Sequence, residues 1–132
     1  MPTTEQVREA ATRYASLVTS GDREAIVACF SVDAEVVDPY PAPAHVGHDA
    51  IRAFWDTVHG MGQPHTFEVE HIAVAGDSAA FLFRLAVLVG GTTLLGIRGF
   101  DVVRVDDDGL ITTLTAYWDP TSFAPVEPGD EE

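Results

Sequence analysis

The chain of 132 residues contains no lysine; all seven of its cationic side chains are arginines. A Schiff-base or pyridoxal-phosphate lysine is therefore excluded. Seven bases against 21 acids leave a net charge of −14, so no basic patch for nucleic acid can form. The single cysteine, Cys29, excludes an intramolecular disulfide and a cysteine-based zinc site. It falls at helical spacing with Ile26 and Phe30, which suits core packing. No apolar run approaches the ~20 residues of a membrane span, and no signal peptide opens the chain. The expectation is a soluble, cytoplasmic protein. An acidic body does not attract anionic substrates, so a neutral, apolar ligand fits better.

What is present is a core: 46% of the residues are apolar. They suit one domain over residues 1–119. Residues 120–132 are poor in apolar side chains and rich in proline and acid, and read as a disordered tail. Thr3 and Gln6 make a capping-box signature. From there Val7, Ala10, Ala11, Tyr14, Leu17 and Val18 repeat at helical spacing to about Ser20. Asp22 caps a short helix through Ile26 and Phe30. Ser31-Val32-Asp33 then turns into a strand, Ala34 to Asp38, which ends at Pro39 because proline cannot donate to a ladder. Ile51, Phe54, Trp55 and Val58 form the stripe of a third helix, ended by Gly60 and Gly62.

The second half alternates with the period of strands. Phe67, Val69 and His71 alternate with Glu68 and Glu70. Phe81, Phe83, Leu85 and Val87 share one face of a strand from Ser78 to Val89. Gly90-Gly91 makes a hairpin turn, and Asp106 to Gly109 makes another before a strand from Leu110 to Trp118. Helices first and hairpin-linked strands after suggest an α+β layer fold, with helices on one face of a curved sheet. The opposite face is apolar at Leu82, Ala86, Leu88, Phe100 and Val102. A homodimer through that face is expected; a loop or the tail is the alternative cover.

The stretch Arg98 to Val105 is the most informative. Side chains in a strand alternate between faces, so Arg98, Phe100, Val102 and Arg104 share one side. Ile97, Asp101, Val103 and Val105 share the other. Asp101 then stands in an apolar row without a Lys, Arg or His. A carboxyl group there keeps its proton and becomes a neutral donor, or else the strand bulges and turns it to solvent. Tyr14 lies on the apolar face of its helix, where its hydroxyl needs a partner; a core tyrosine bonded to backbone is the plainer alternative. Asp38, at a strand end beside the Pro39–Pro43 loop, is either a base open to substrate and solvent or an ordinary turn aspartate. Two donors aimed at one oxygen, with a carboxylate base nearby, are the apparatus for removing a proton alpha to a carbonyl.

These residues reach a known pattern. Arg13-Tyr14, Gly21-Asp22, Val36-Val37-Asp38-Pro39, Ala50-Ile51-Arg52 with Phe54, Ala79 to Phe83 and the Asp101 strand resemble the ketosteroid isomerases. The resemblance covers about residues 3 to 118. It implies the cone-shaped, nuclear transport factor 2-like fold, a curved mixed or antiparallel sheet wrapped on about three helices. It also implies a steroid Δ5-isomerase that needs no metal and no cofactor. Asp38 would be the proton-shuttling base, with Tyr14 and a neutral Asp101 as oxyanion-hole donors. That neutral aspartic acid is an established feature of the family and is carried over from it. Phe54, Trp55, Phe83, Val103 and Trp118 fall where the family lines its steroid pocket. Trp55 and Phe30 stand where some members have tyrosines that support the oxyanion-hole tyrosine. A polyketide cyclase-like or lyase enzyme, or a module that only binds a small apolar ligand, are the alternatives. His45, His48 and Asp49 read as surface residues rather than metal ligands, since a third cluster is missing.

Overall fold

The protein is described by a computed structural model over residues 1–91 and 93–125. Its first helix, α1 (Thr4–Leu17), starts where the capping box places it. The Thr3 hydroxyl accepts from the Gln6 amide, and the Gln6 side chain accepts from the Thr3 amide at 2.8 Å. α2 (Arg23–Val27) is capped by Asp22, whose carboxylate accepts from the Ala25 amide. α3 spans His48–Met61. Gly60, expected to stop that helix, lies within it, and the chain leaves helical geometry only at Gly62. Arg52 clamps Glu24 through two nitrogens (2.7 and 3.0 Å), and Arg23 bonds Asp56. These exposed pairs orient α2 on α3 more than they stabilise either. No helix among the described residues is long and apolar enough to cross a membrane.

The strands are β1 (Phe30–Val37), β2 (His45–Val46), β3 (Gln63–Ala75), β4 (Ser78–Val89), β5 (Thr93–Val105), β6 (Ile111–Tyr117) and β7 (Phe123–Pro125). They form one sheet in the order β2-β1-β6-β5-β4-β3, with β7 added beside the first half of β5. β1 runs parallel to β6 and every other pair is antiparallel, so the sheet is mixed. β1 starts four residues earlier than the sequence pattern suggests. Residues 31–33, expected as a turn, are absorbed by a register shift between the Phe30↔Ile111 and Glu35↔Thr113 pairs. A second shift, in β3 between Val69 and His71, moves the inward positions onto Ile72 and Val74 and leaves His71 exposed. An inserted residue reverses the parity of everything beyond it, which strict alternation cannot anticipate.

The core lies between the helices and the concave face of the sheet. Val7, Ala11, Ile26 and Ile51 from the helices meet Phe81, Val103, Val105 and Leu114 from the strands. Each large side chain so buried stabilises the fold by about 1.5–3 kcal/mol. Gly99 is the close approach that the sheet depends on. A Cβ at that position would stand 2.8 Å from the Phe83 ring and 2.8 Å from the Tyr117 carbonyl oxygen. Gly99→Ala is therefore expected to destabilise the protein by roughly 1–3 kcal/mol, because the Phe83 ring or the β6 backbone must give way. Urea unfolding measures it, and an unchanged midpoint would show that the ring relocates freely.

Two expectations are corrected here. Residues 120–125, assigned by sequence to a disordered tail, form a 3-10 turn (Pro120–Ser122) and then β7, registered against β5 at Leu95, Gly96 and Ile97. Asp119 caps the turn by accepting from the Thr121 amide at 2.8 Å. Acid and proline here serve a cap and a turn, so composition misleads. The remainder of that tail, 126–132, lies outside the described residues. On the convex face, Phe100 and Val102 are exposed and Leu82 is half-buried, but Ala86 is buried at 8%. It is a lone methyl group between the longer Arg84 and Leu88 on the same strand face, so it adds nothing to that surface.

Candidate active site

Tyr14 reaches inward from the middle of α1, on the stripe it shares with Val7, Ala10, Ala11 and Val18. Asp101 stands on the concave face of β5, opposite Phe81 of β4 and Ala116 of β6. It is 4% exposed and is the one buried charged or polar residue among those described. Asp38 follows the last residue of β1. Its loop is tied to β6, where the Tyr40 amide donates to the Ala116 carbonyl at 2.8 Å. All three side chains line one cavity of about 420 Å³ between the helices and the sheet. That volume lies within the ~300–1,000 Å³ of small-molecule sites. A larger but shallower hollow of about 730 Å³ lies across the convex face, beside the Glu70–Arg98 ion pair. It touches none of the three.

Of the apolar residues expected around the site, Phe54, Trp55, Phe83 and Trp118 line the cavity. Val103 does not: it is fully buried, two residues beyond Asp101 toward the closed end of the cone, and packs in the core. Sequence alternation puts Val103 on the correct face but cannot say where along that face the cavity stops. Tyr14 is held by rings, edge-on to Phe30 at 5.8 Å and to Trp55 at 6.2 Å between centroids. The Trp55 Nε1–H is buried without a partner among the described residues, so it does not take the place of a supporting tyrosine hydroxyl. His45 packs against Phe54 with ring centroids 4.8 Å apart and the planes tilted by 44°. His48 Nε2 lies 2.8 Å from the Phe30 carbonyl oxygen. Both histidines thus serve packing and strand attachment.

Burial, acting on each group, dominates the electrostatics. It raises the Asp101 pKa well above the carboxylate range, and the nearby Asp38 charge raises it further. Both effects favour the protonated, neutral form of Asp101, which is the form able to donate. The Tyr14 phenol is likewise pushed well up by burial and then by Asp101 and Asp38. Neither the Tyr14 hydroxyl nor the Asp101 carboxyl has a hydrogen-bond partner among the described residues. Both groups open onto one cavity, where the oxygen of a ligand can meet them.

Asp38 differs in kind. Its Oδ1 accepts from the Trp118 indole N–H at 2.6 Å, across 80 residues of sequence. Burial raises its pKa, while the Trp118 bond and the nearby His45 pull it back toward ionisation. Asp38 was expected at an open position; it is in fact half-buried, and it is a stronger base for that. Trp118 in turn packs edge-on against Phe123 of β7 at 5.4 Å, and Phe123 lines the cavity. Sequence reading missed Phe123 and the indole–carboxylate bond. The capping pattern Asp119-Pro120-Thr121-Ser122, closing on an aromatic, was the signal available for the first.

Residues 11–114 match the family described as the SnoaL-like domain. The chain belongs to that family. The SnoaL-like chain is also 35% identical over 115 residues to a steroid Delta-isomerase of Nocardioides simplex, covering 87% of this chain and 91% of the relative. Among solved structures it resembles a Delta5-3-ketosteroid isomerase from Mycobacterium sp., with a TM-score of 0.81 and 28% identity over 92% of this chain and 98% of that one. It also resembles SalBIII, an epoxide hydrolase/cyclase-like enzyme of pyran ring formation in the polyether salinomycin. There the TM-score is 0.85 and the identity 24% over 96% of this chain and 100% of that one, a likeness of fold. The fold is the nuclear transport factor 2-like α+β cone. By relationship this SnoaL-like chain is an enzyme of the isomerase class.

Proposed function

We propose that the protein isomerises a 3-oxo-Δ5-steroid to its conjugated Δ4 isomer. The observation that carries this reading is the cavity itself. Tyr14 and Asp101, both largely buried residues, open onto one apolar chamber together with a carboxylate anchored by an indole. The carbonyl oxygen of the substrate sits between the Tyr14 hydroxyl and the neutral Asp101 carboxyl. Asp38 removes a proton from C4, between the carbonyl and the double bond. The C4–H electron pair moves into a C3–C4 double bond, and the carbonyl pair moves onto oxygen, giving a dienolate. Both donors bond more strongly to that oxygen than to the ketone, which is where rate is gained. Protonated Asp38 then delivers its proton to C6. The enolate collapses to the ketone, with the double bond now between C4 and C5. The proton taken from C4 is returned at C6, so Asp38 is regenerated and the reaction is a net isomerisation.

The test is ultraviolet absorbance during incubation with 5-androstene-3,17-dione, where a conjugated enone band grows as the bond moves. Steroid binding without that band would leave a binding module. Opening of an epoxide by the same acid–base pair, with no enone formed, would favour the cyclase-like reading.

The reading includes a homodimer through the convex face. Phe100 (54% exposed) and Val102 sit beside Tyr117, whose ring lies 5.7 Å from that of the exposed Tyr40. An apolar, aromatic surface of this kind is costly to leave in water. Sedimentation velocity should give a dimer that Phe100→Glu converts to monomer. A monomer in the unsubstituted protein would remove this part of the proposal.

A further inference from the structure

We propose that the substrate carries a hydrocarbon tail at the end of its ring system opposite the ketone, as a side-chain-bearing sterol does. This rests on the isomerase reading and adds the class of steroid.

The cavity does not end near the catalytic groups. Along β5 its wall continues from Asp101 through Ile97 to Leu95, and along β4 from Phe83 through Leu85 and Val87 to Val89. The pairs Phe83↔Gly99, Leu85↔Ile97 and Val87↔Leu95 place these side chains in successive tiers. Asp101 and Leu95 are six residues apart. At ~3.3 Å per strand residue the trough is thus about 20 Å long. A fused four-ring skeleton is shorter: roughly eight bonds of ~1.5 Å separate its ends, which covers less than about 12 Å. With the ketone at Asp101, the distal third of the trough lies beyond the rings.

That distal third is apolar. Met61, Val87, Val89, Leu95 and Phe123 surround it. Thr57 is also on the lining, but its hydroxyl donates to the Ala53 carbonyl at 3.1 Å. Among the described lining residues there, no other side chain has a polar group to meet a second ketone or hydroxyl. A polar substituent would find no partner on this wall, whereas methylenes laid along it would bury apolar surface. Met61 (75% exposed) and Val89 (42%) extend the apolar surface out to the rim, so a tail can follow it outward. The wall is completed by β7, whose Phe123 pairs with Ile97 of β5. Phe123 thus brings the segment 120–125 into the wall of the trough.

The experiment measures binding of 4-en-3-one steroids, product-like ligands that do not turn over, by quenching of tryptophan fluorescence. The series runs from unsubstituted 4-androsten-3-one through 17-alkyl homologues of increasing length to 4-cholesten-3-one, with the 17-oxo compound alongside. Kd should fall roughly tenfold for every two methylenes buried, then level off. The 17-oxo compound should bind no better than the unsubstituted one. Leu95→Gln should remove most of the gain from the tail and change the Kd of 4-androsten-3-one several-fold less. A Kd independent of tail length, tightest binding by the 17-oxo compound, or an equal loss for both ligand types in Leu95→Gln would each overturn the inference. Turnover of the Δ5 counterparts is scored separately. Tail-dependent binding without isomerisation would remove the isomerase reading and leave the compartment standing.

Discussion

Asp38→Asn is expected to lower turnover of a Δ5-3-oxosteroid by at least about 10²–10⁴-fold, the usual worth of a positioned general base. The substitution removes the basic carboxylate and little else. An amide oxygen at position 38 can still accept from the Trp118 indole, so the cavity wall stays in place. Binding of a phenol, which mimics the enolate at Tyr14 and Asp101, should change by no more than a few-fold. The pH profile gives a second reading. Asp38 acts as a base only when deprotonated, so kcat/KM should rise with pH through its pKa. Burial raises that pKa above the ordinary carboxylate value of ~3.9, with Trp118 and His45 opposing. The acid limb of the profile should therefore lie to the alkaline side of ~3.9 and vanish in the Asn variant. Turnover that survives the substitution would exclude Asp38 as the base.

Asp101→Asn is expected to make the folded protein more stable at neutral pH, increasingly so as pH rises. The sign follows from where the proton is. In the folded state burial and the Asp38 charge hold the Asp101 proton well above the usual range. In the unfolded state the same group ionises near ~3.9. Between those two values the folded state binds more protons, so its stability falls with rising pH, by up to about 1.4 kcal/mol per pH unit. The contribution of the neutral acid is complete below ~3.9 and is lost progressively until the folded-state pKa is passed. An asparagine at that position does not titrate. Urea unfolding of both proteins over a range of pH should therefore give curves that converge in acid and diverge toward alkali. A difference independent of pH would mean that Asp101 is ionised in the folded state. Replacing the donor altogether tests the other half. Asp101→Leu should weaken phenol binding and lower turnover by about 10²–10³-fold, the effect of losing one oxyanion donor.

Much of this was legible in the residues because it depended on local rules. The Thr3–Gln6 capping box placed the start of α1. Strand parity put Asp101 among inward-facing apolar residues, and the structure buries it there. Parity held along β4 and β5, whose pairing runs without a shift from Val89↔Thr93 to Ser78↔Arg104. It failed in β1 and β3, where register shifts change which residues face inward. The resemblance to ketosteroid isomerases named Tyr14, Asp38 and Asp101 together, and the three do share a cavity.

The rest was decided at long range. Trp118 and Asp38 meet only because β1 and β6 lie parallel and side by side, 80 residues apart in the chain. Val103 and Ile97 share a face of β5, yet the first is core and the second lines the cavity. Helix packing, and not strand pattern, sets where that cavity closes. Residues 120–125 read as solvated tail until β5 offers them an edge to pair with. The amino-acid order by itself determined which side chains of β4 and β5 turn inward, because φ/ψ geometry and hydrophobicity act between neighbours. Only the tertiary structure decided how deep the chamber runs, which indole holds Asp38 and how burial acts on the two acids. Burial and charge coupling are properties of groups brought together from distant segments, and no local rule contains them.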